Sequence, residues 1–237
     1  MKSRFILATL LGAIVVGANA AADSANLHLR AKAGDTYKYK MGVSIDIEGV
    51  TIEISGKVTD KVTKVDEKAT KLDSEFSDFE LSVMGEKMKQ DDGVATYEIL
   101  PNGQIATLKY DAKNEGMTGT LAPLKAYINL LSSKKEVAVG TKWTETMKTI
   151  VINDEGDKNE DASTCEYELL ALEDVEKTKC AKVSIKLTAL SEKDRVLTGN
   201  IWVDLSNGVL VKFDGQTTMK NEEMGEMVMK FNITKTE

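Results

Sequence analysis

The chain has 237 residues, 42% hydrophobic, 29% charged and only 5% aromatic, with two Pro, two Cys and one His. These proportions exclude wholesale disorder, and one His with two Cys excludes a His- or Cys-rich metal cluster and a multi-disulfide scaffold. A net charge of −7, from 31 Lys+Arg against 38 Asp+Glu, with no basic block, argues against nucleic acid and anionic lipid surfaces as partners.

Residues 1–20 read as a secretory signal peptide. Lys2 and Arg4 supply the positive start, 5–16 the apolar run, and Ala18, Asn19 and Ala20 the cleavage site. The run is too short to span a bilayer. Cleavage after Ala20 would leave 217 residues, and a cut after Ala22 is nearly as good. No Cys lies near the cut, so an exported, soluble protein without a lipid anchor is expected, periplasmic or extracellular.

Beyond the leader the dominant period is two. Tyr37, Tyr39, Met41, Val43, Ile45 and Ile47 are apolar at odd positions, and after Glu48-Gly49 the even positions Val50, Ile52, Ile54, Val58 and Val62 take over. A two-residue hairpin that keeps one face buried requires this parity switch, with Ile47 facing Val50 and Ile45 facing Ile52. Further strands are predicted at 71–84, 94–100, 104–110, 142–152, 163–172, 180–190, 195–205, 209–219 and 226–234, separated by Gly-, Asn- and Asp-rich turns. One short helix is predicted near 120–132, capped by Thr120, with Pro123 in its first turn. Leu121, Leu124, Ile128 and Leu131 form its apolar stripe, which must pack on the sheet to persist.

The two halves repeat. AGDTY at 33–37 parallels VGTKW at 139–143, and LPNGQI at 100–105 parallels LSNGVL at 205–210. Two related units, about 34–110 and 140–213, would then form one domain over 21–237, joined through the helix. The expected fold is mainly β: a strongly curved antiparallel sheet, a half-barrel of about 11 strands in two related half-sheets, with one central helix.

GDTYKY at 34–39, KEVAVGTKW at 135–143, EYEL at 166–169 and WVDLSNGVLVKF at 202–213, behind a signal peptide, resemble a group of uncharacterised exported bacterial proteins. Those proteins resemble the lipoprotein-carrier type of half-barrel, which implies a curved sheet wrapped around helical segments.

Catalysis is hard to build from this inventory. His28 is the sole histidine and reads as an exposed edge-strand residue; G-x-S-x-G and H-E-x-x-H are both missing. No cofactor is expected. Asp157, Asn159, Asp161, Ser163 and Glu168 match calcium-loop positions weakly, since Ala162 stands where the sharp turn needs Gly. Cys165 and Cys180 are expected as free thiols: strand alternation points one inward and the other outward, and Cys165 should lie opposite residue 185 or 187. Trp143 and Trp202 read as core packing.

Two functions from different classes fit. The first is a non-enzymatic extracytoplasmic binding protein that carries or senses an apolar, lipid-like ligand between sheet and helix. Its expected lining is Met41, Val43, Ile45, Leu124, Ile128, Leu131 and Met229. The alternative is a structural or interaction protein of the cell envelope with a filled core.

Overall fold

In a computed structural model the alternating segments become long, twisted strands. The structure describes residues 23–47, 49–101, 103–110, 117–128, 136–152, 158–190, 196–221 and 225–237; the leader lies outside them.

The first meander comprises β2 (Thr36–Ile47), β3 (Val50–Val65), β4 (Thr70–Val83), β5 (Glu86–Lys89), β6 (Gly93–Ile99) and β7 (Ile105–Tyr110); a short β1 (Ser24–Ala25) precedes it. Helix α1 (Met117–Ile128) and a short β8 (Val137–Ala138) follow. The second meander comprises β9 (Lys142–Ile152), β10 (Lys158–Val175), β11 (Thr178–Ala189), β12 (Val196–Asp204), β13 (Leu210–Asn221) and β14 (Gly225–Lys235). Ile47 faces Val50 and Ile45 faces Ile52, the pairing that the parity switch requires.

The expected half-barrel is corrected to a closed barrel. The main sheet runs β3-β2-β14-β13-β12-β11-β10-β9-β7-β6-β4, β4 pairs back on β3, and β5 hangs from the end of β4 as a flange. Two joins link the meanders: β14 pairs antiparallel with β2, and β7 pairs parallel with β9. Either join alone would leave an open sheet; together they close eleven strands into a ring. The parallel join is the one that needs a long crossover, and the segment containing α1 provides it. Closure removes the open edges that an unclosed sheet would have to protect.

Inward-facing side chains form the core. Val43, Phe231, Gly215, Gly199, Ile185, Tyr167 and Trp143 follow one another across β2, β14, β13, β12, β11, β10 and β9. Gly56 belongs to the inner face too, because it pairs with Met41, and the ring of Phe79 fills the space its side chain would occupy.

One end of the barrel is sealed by the N-terminal segment. Leu27 is fully buried, and β1 pairs with β8. Arg30 donates from its backbone N–H to the Asn207 carbonyl at 2.7 Å and from Nη2 to the Leu205 carbonyl at 2.8 Å. Gly208, at φ +74°, lies so close to His28 that a Cβ would sit 2.2 Å from the His28 carbonyl oxygen. His28 is therefore not the exposed edge-strand residue that the sequence suggested. It is half-buried in an irregular segment clamped against the β12–β13 turn.

Cys165 pairs with Leu187, inside, and Cys180 with Glu173, outside, so the two thiols are free. Trp143 stacks on Tyr167 at 5.2 Å in the main core. Trp202 instead faces outward, packed with Cys180 and Val211. Lys182 and Lys212 lie over its ring at 5.1 and 4.8 Å, and its Nε1 donates to Glu173 at 2.6 Å.

Gly56→Val should lower stability by about 1–3 kcal/mol, because its Cβ would lie 2.4 Å from the Phe79 ring and must displace it. Urea unfolding of the two proteins measures this; equal midpoints would contradict the packing described.

Candidate functional site: a buried lysine and an apolar mouth

Helix α1 begins at Met117 and not at Thr120, so the expected cap is internal and Pro123 lies inside the helix. Its buried face also differs from the expected stripe. Thr118, Leu121, Ala122, Lys125 and Ala126 are buried, at the i, i+3, i+4, i+7, i+8 spacing of a single helical face. Leu124 is half-buried beside them. The face turns because small residues, Ala122 and Ala126, allow the helix axis to approach the wall at β6 and β7.

Lys125 is the outcome of that rotation. Its side chain has no exposed surface. Nζ donates to Asp60 Oδ2 at 2.7 Å and to Ser74 Oγ at 3.4 Å, and Ser74 Oγ donates to Asp60 Oδ1 at 2.6 Å. The rings of Tyr97 and Tyr39 stand 5.3 and 5.7 Å from Nζ. The Tyr97 hydroxyl donates to the Ala122 carbonyl at 3.0 Å. One ammonium thus joins α1 to inward-facing side chains of β2, β3, β4 and β6. Burial, reinforced by the Asp60 charge, pushes both tyrosines well above the ordinary phenol pKa. They remain neutral rings at physiological pH and offer their faces to the cation.

The opposite end of the barrel differs. There the β2–β3, β4–β5 and β13–β14 hairpins turn. Their inner faces carry Val83, Ile52, Ile45 and Met229 in one cross-strand row and Met88, Leu81 and Ile54 in the next. Ile47 pairs with both Val50 and Met227. Apart from Met88 these side chains are half-buried, and Val50, Met88 and Met84 are exposed at 38%, 49% and 84%. Two of the seven expected lining residues, Ile45 and Met229, lie here as direct partners. Met41 and Val43 lie deeper on the same strand, almost fully buried. Leu124 sits on the helix, half-buried against the main core. The side chain of Ile128 and the whole of Leu131 lie outside the described residues. The expected lining omitted Ile52, Leu81 and Val83, although the period-two pattern had already placed Ile52 opposite Ile45.

The wall also bears shallow clefts. One of about 490 Å³ is lined by Met41, Gly42, Val43, Ile54 and Gly56 with Lys57, Asp78 and Asn232. Another of about 480 Å³ is lined by Trp143, Tyr167, Ile185 and Gly199 with Glu166 and Lys186. Neither reaches a residue of α1.

The weak calcium pattern is not assembled. Asn159 and Glu168 both lie in β10, nine residues apart along an extended strand, roughly 30 Å. Glu168 pairs with Lys142 at 3.4 Å. Asp157 and the side chain of Asp161 lie outside the described residues. No cluster of three metal-ligating side chains occurs among the described residues.

No protein-family model matches the chain, and no curated protein matches it. Three solved structures do. The hypothetical lipoprotein YmcC from Escherichia coli aligns at TM-score 0.33 and 14% identity, over 87% of this chain and 90% of that one. A DUF1329 family protein from Desulfovibrio piger aligns at 0.26 and 14%, over 85% and 84%. A protein with a YmcC-like fold from Bacteroides fragilis aligns at 0.30 and 10%, over 90% and 100%. At such scores the similarity carries no information on activity. No helix among the described residues is long and apolar enough to cross a membrane.

Lys125→Ala should cost about 3–5 kcal/mol, since it strands a buried carboxylate. Lys125→Met combined with Asp60→Leu should recover most of that loss. Chemical denaturation of the three proteins separates the cases; a double variant as weak as the single one would refute the ion-pair account. Burial pushes the Cys165 thiol up to about 12, so its thiolate is scarce at pH 8. Cys165 should react with a disulfide reagent only after unfolding, as thiol counting in native and denatured protein will report.

Proposed function

We propose that this is an exported, non-catalytic barrel that holds an apolar ligand at its open mouth. What supports the reading is the contiguous half-exposed face made by Ile45, Ile47, Ile52, Ile54, Leu81, Val83, Met227 and Met229. A contiguous apolar face of this kind marks a place where something else is to cover it. Methionine suits an apolar site that adapts to its occupant. Export follows from the leader pattern at 1–20. The ligand site moves from the space between sheet and helix, as first expected, to the mouth at the hairpin ends. The space beside Lys125 is taken by Asp60, Ser74, Tyr39 and Tyr97.

A second reading, an interaction protein of the envelope, is favoured by the sealed lower end and by the exposed Met84 and Met88 at the β4–β5 tip. In that case the mouth receives a protein.

N-phenyl-1-naphthylamine, an uncharged apolar fluorophore, should bind the full protein saturably, with blue-shifted emission. Ile45→Asp and Met229→Asp should each weaken it at least about tenfold by charging an apolar wall. Failure of the wild-type protein to bind the dye would remove the carrier reading and leave the interaction protein.

A further inference from the structure

The outer face of the barrel wall carries a row of residues that strands ordinarily avoid. Asn200 on β12 pairs with Asp214 on β13, Asp214 with Asn232 on β14, and Asn232 with Gly42 on β2. Asn, Asp and Gly are all depleted from strand interiors, yet four adjacent strands place them side by side. Their sequence neighbours Met41, Ile201, Phe213, Phe231 and Ile233 are buried in the core, so alternation turns the row outward.

The row forms the floor of a shallow trough. Two clefts, of about 490 and 610 Å³, meet at Asn232, one over Gly42 and the other over Asn200, Asp214 and Gln216. Gly42 keeps the floor low: a Cβ there would come within 2.8 Å of Asn232 Nδ2. The amides of Asn200, Gln216 and Asn232 bond no protein group among the described residues, and each can both donate and accept. Charge along the two clefts is balanced, with Lys40, Lys57 and Lys230 against Glu53, Asp78 and Asp214. Lys57 is paired with Asp78 at 2.8 Å, and Asp214 with Lys212 at 2.6 Å.

We infer that this trough binds an uncharged, extended β-1,4-linked sugar chain laid across β12, β13, β14 and β2. Sugar hydroxyls donate and accept, as the lining amides do. The balanced charge offers an ionic polymer no net attraction. A pyranose in such a chain advances by close to the strand spacing of ~4.8 Å, so consecutive sugars meet consecutive strands of the row. A peptide is the poorer occupant, because the closed ring presents no strand edge here for main-chain pairing. The trough lies outside the wall, so this site goes beyond the apolar-ligand reading and does not depend on it.

Titration calorimetry on the full protein tests this, with cellohexaose, chitohexaose, cellobiose and the charged hexagalacturonate as probes. At least one neutral hexasaccharide should bind saturably, at least about tenfold tighter than cellobiose, as contact with four strands instead of two predicts. Hexagalacturonate should bind no better than cellobiose. Asn200→Val and Asn232→Val should each weaken the hexasaccharide roughly fivefold, as loss of one hydrogen bond predicts. Both should leave the melting temperature equal or higher, because a strand-favouring residue replaces a strand-disfavouring one. No binding of either neutral hexasaccharide, equal binding of hexagalacturonate, or variants of unchanged affinity would overturn the site. A lower melting temperature in both variants would assign the amides to holding the sheet and overturn it too. The hexasaccharide should not displace N-phenyl-1-naphthylamine. A protein that binds the sugar and not the dye would lose the apolar-ligand reading and keep the trough.

Discussion

The pairing of Lys125 with Asp60 is the constraint on which the interior depends. Taking both charges out of water costs several kcal/mol per ion unless they meet in good geometry with their remaining hydrogen-bonding capacity satisfied. Here Oδ1 of Asp60 is occupied by Ser74, Oδ2 by Lys125, and two neutral phenol rings flank the ammonium. The arrangement works in only one helix orientation and one strand register. A helix rotated by one residue, or a slip of β3 against β4, would strand a charge in the core. The pair therefore selects a unique packing more than it adds net stability, a use to which buried ionic groups are suited.

That selection reaches the ring as a whole. The crossover that contains α1 leads from β7 to β9, and these strands form the one parallel pair among the described residues. The cluster around Lys125 pins the helix to β2, β3, β4 and β6. The second join, β14 on β2, completes the ring next to Tyr39, itself a neighbour of Lys125. Helix placement and barrel closure are thus coupled through one cluster of side chains. Beyond the cluster, the barrel is asymmetric along its length: the N-terminal segment seals one end, and the hairpin ends of β2–β3 and β13–β14 leave apolar surface open at the other.

Much of the fold was legible in the residues. The parity switch at Glu48-Gly49 located the first hairpin and its register, and strand alternation placed Cys165 and Cys180 on opposite faces. The helix was legible as a helix but not in its orientation. Its leucines suggested one stripe, while the small residues Ala122 and Ala126 set the actual contact face and carried Lys125 inside. A lysine four residues from Leu121 gives no local sign of burial, since its partner Asp60 stands 65 residues away. The predicted strand at 163–172 already held Ser163 and Glu168 of the calcium-like pattern, and the structure extends that strand back through Asn159.

By itself the sequence determined which segments are strands, which face of each is apolar and where the chain turns. Those properties follow from side-chain period and turn chemistry within a few residues. Only the tertiary structure decided that the sheet closes and that a lysine lies buried at its centre. Each of these depends on pairings between distant segments, β14 with β2, β7 with β9 and Lys125 with Asp60. Such pairings are chosen by the free energy of the whole packed interior, which no local window of residues contains.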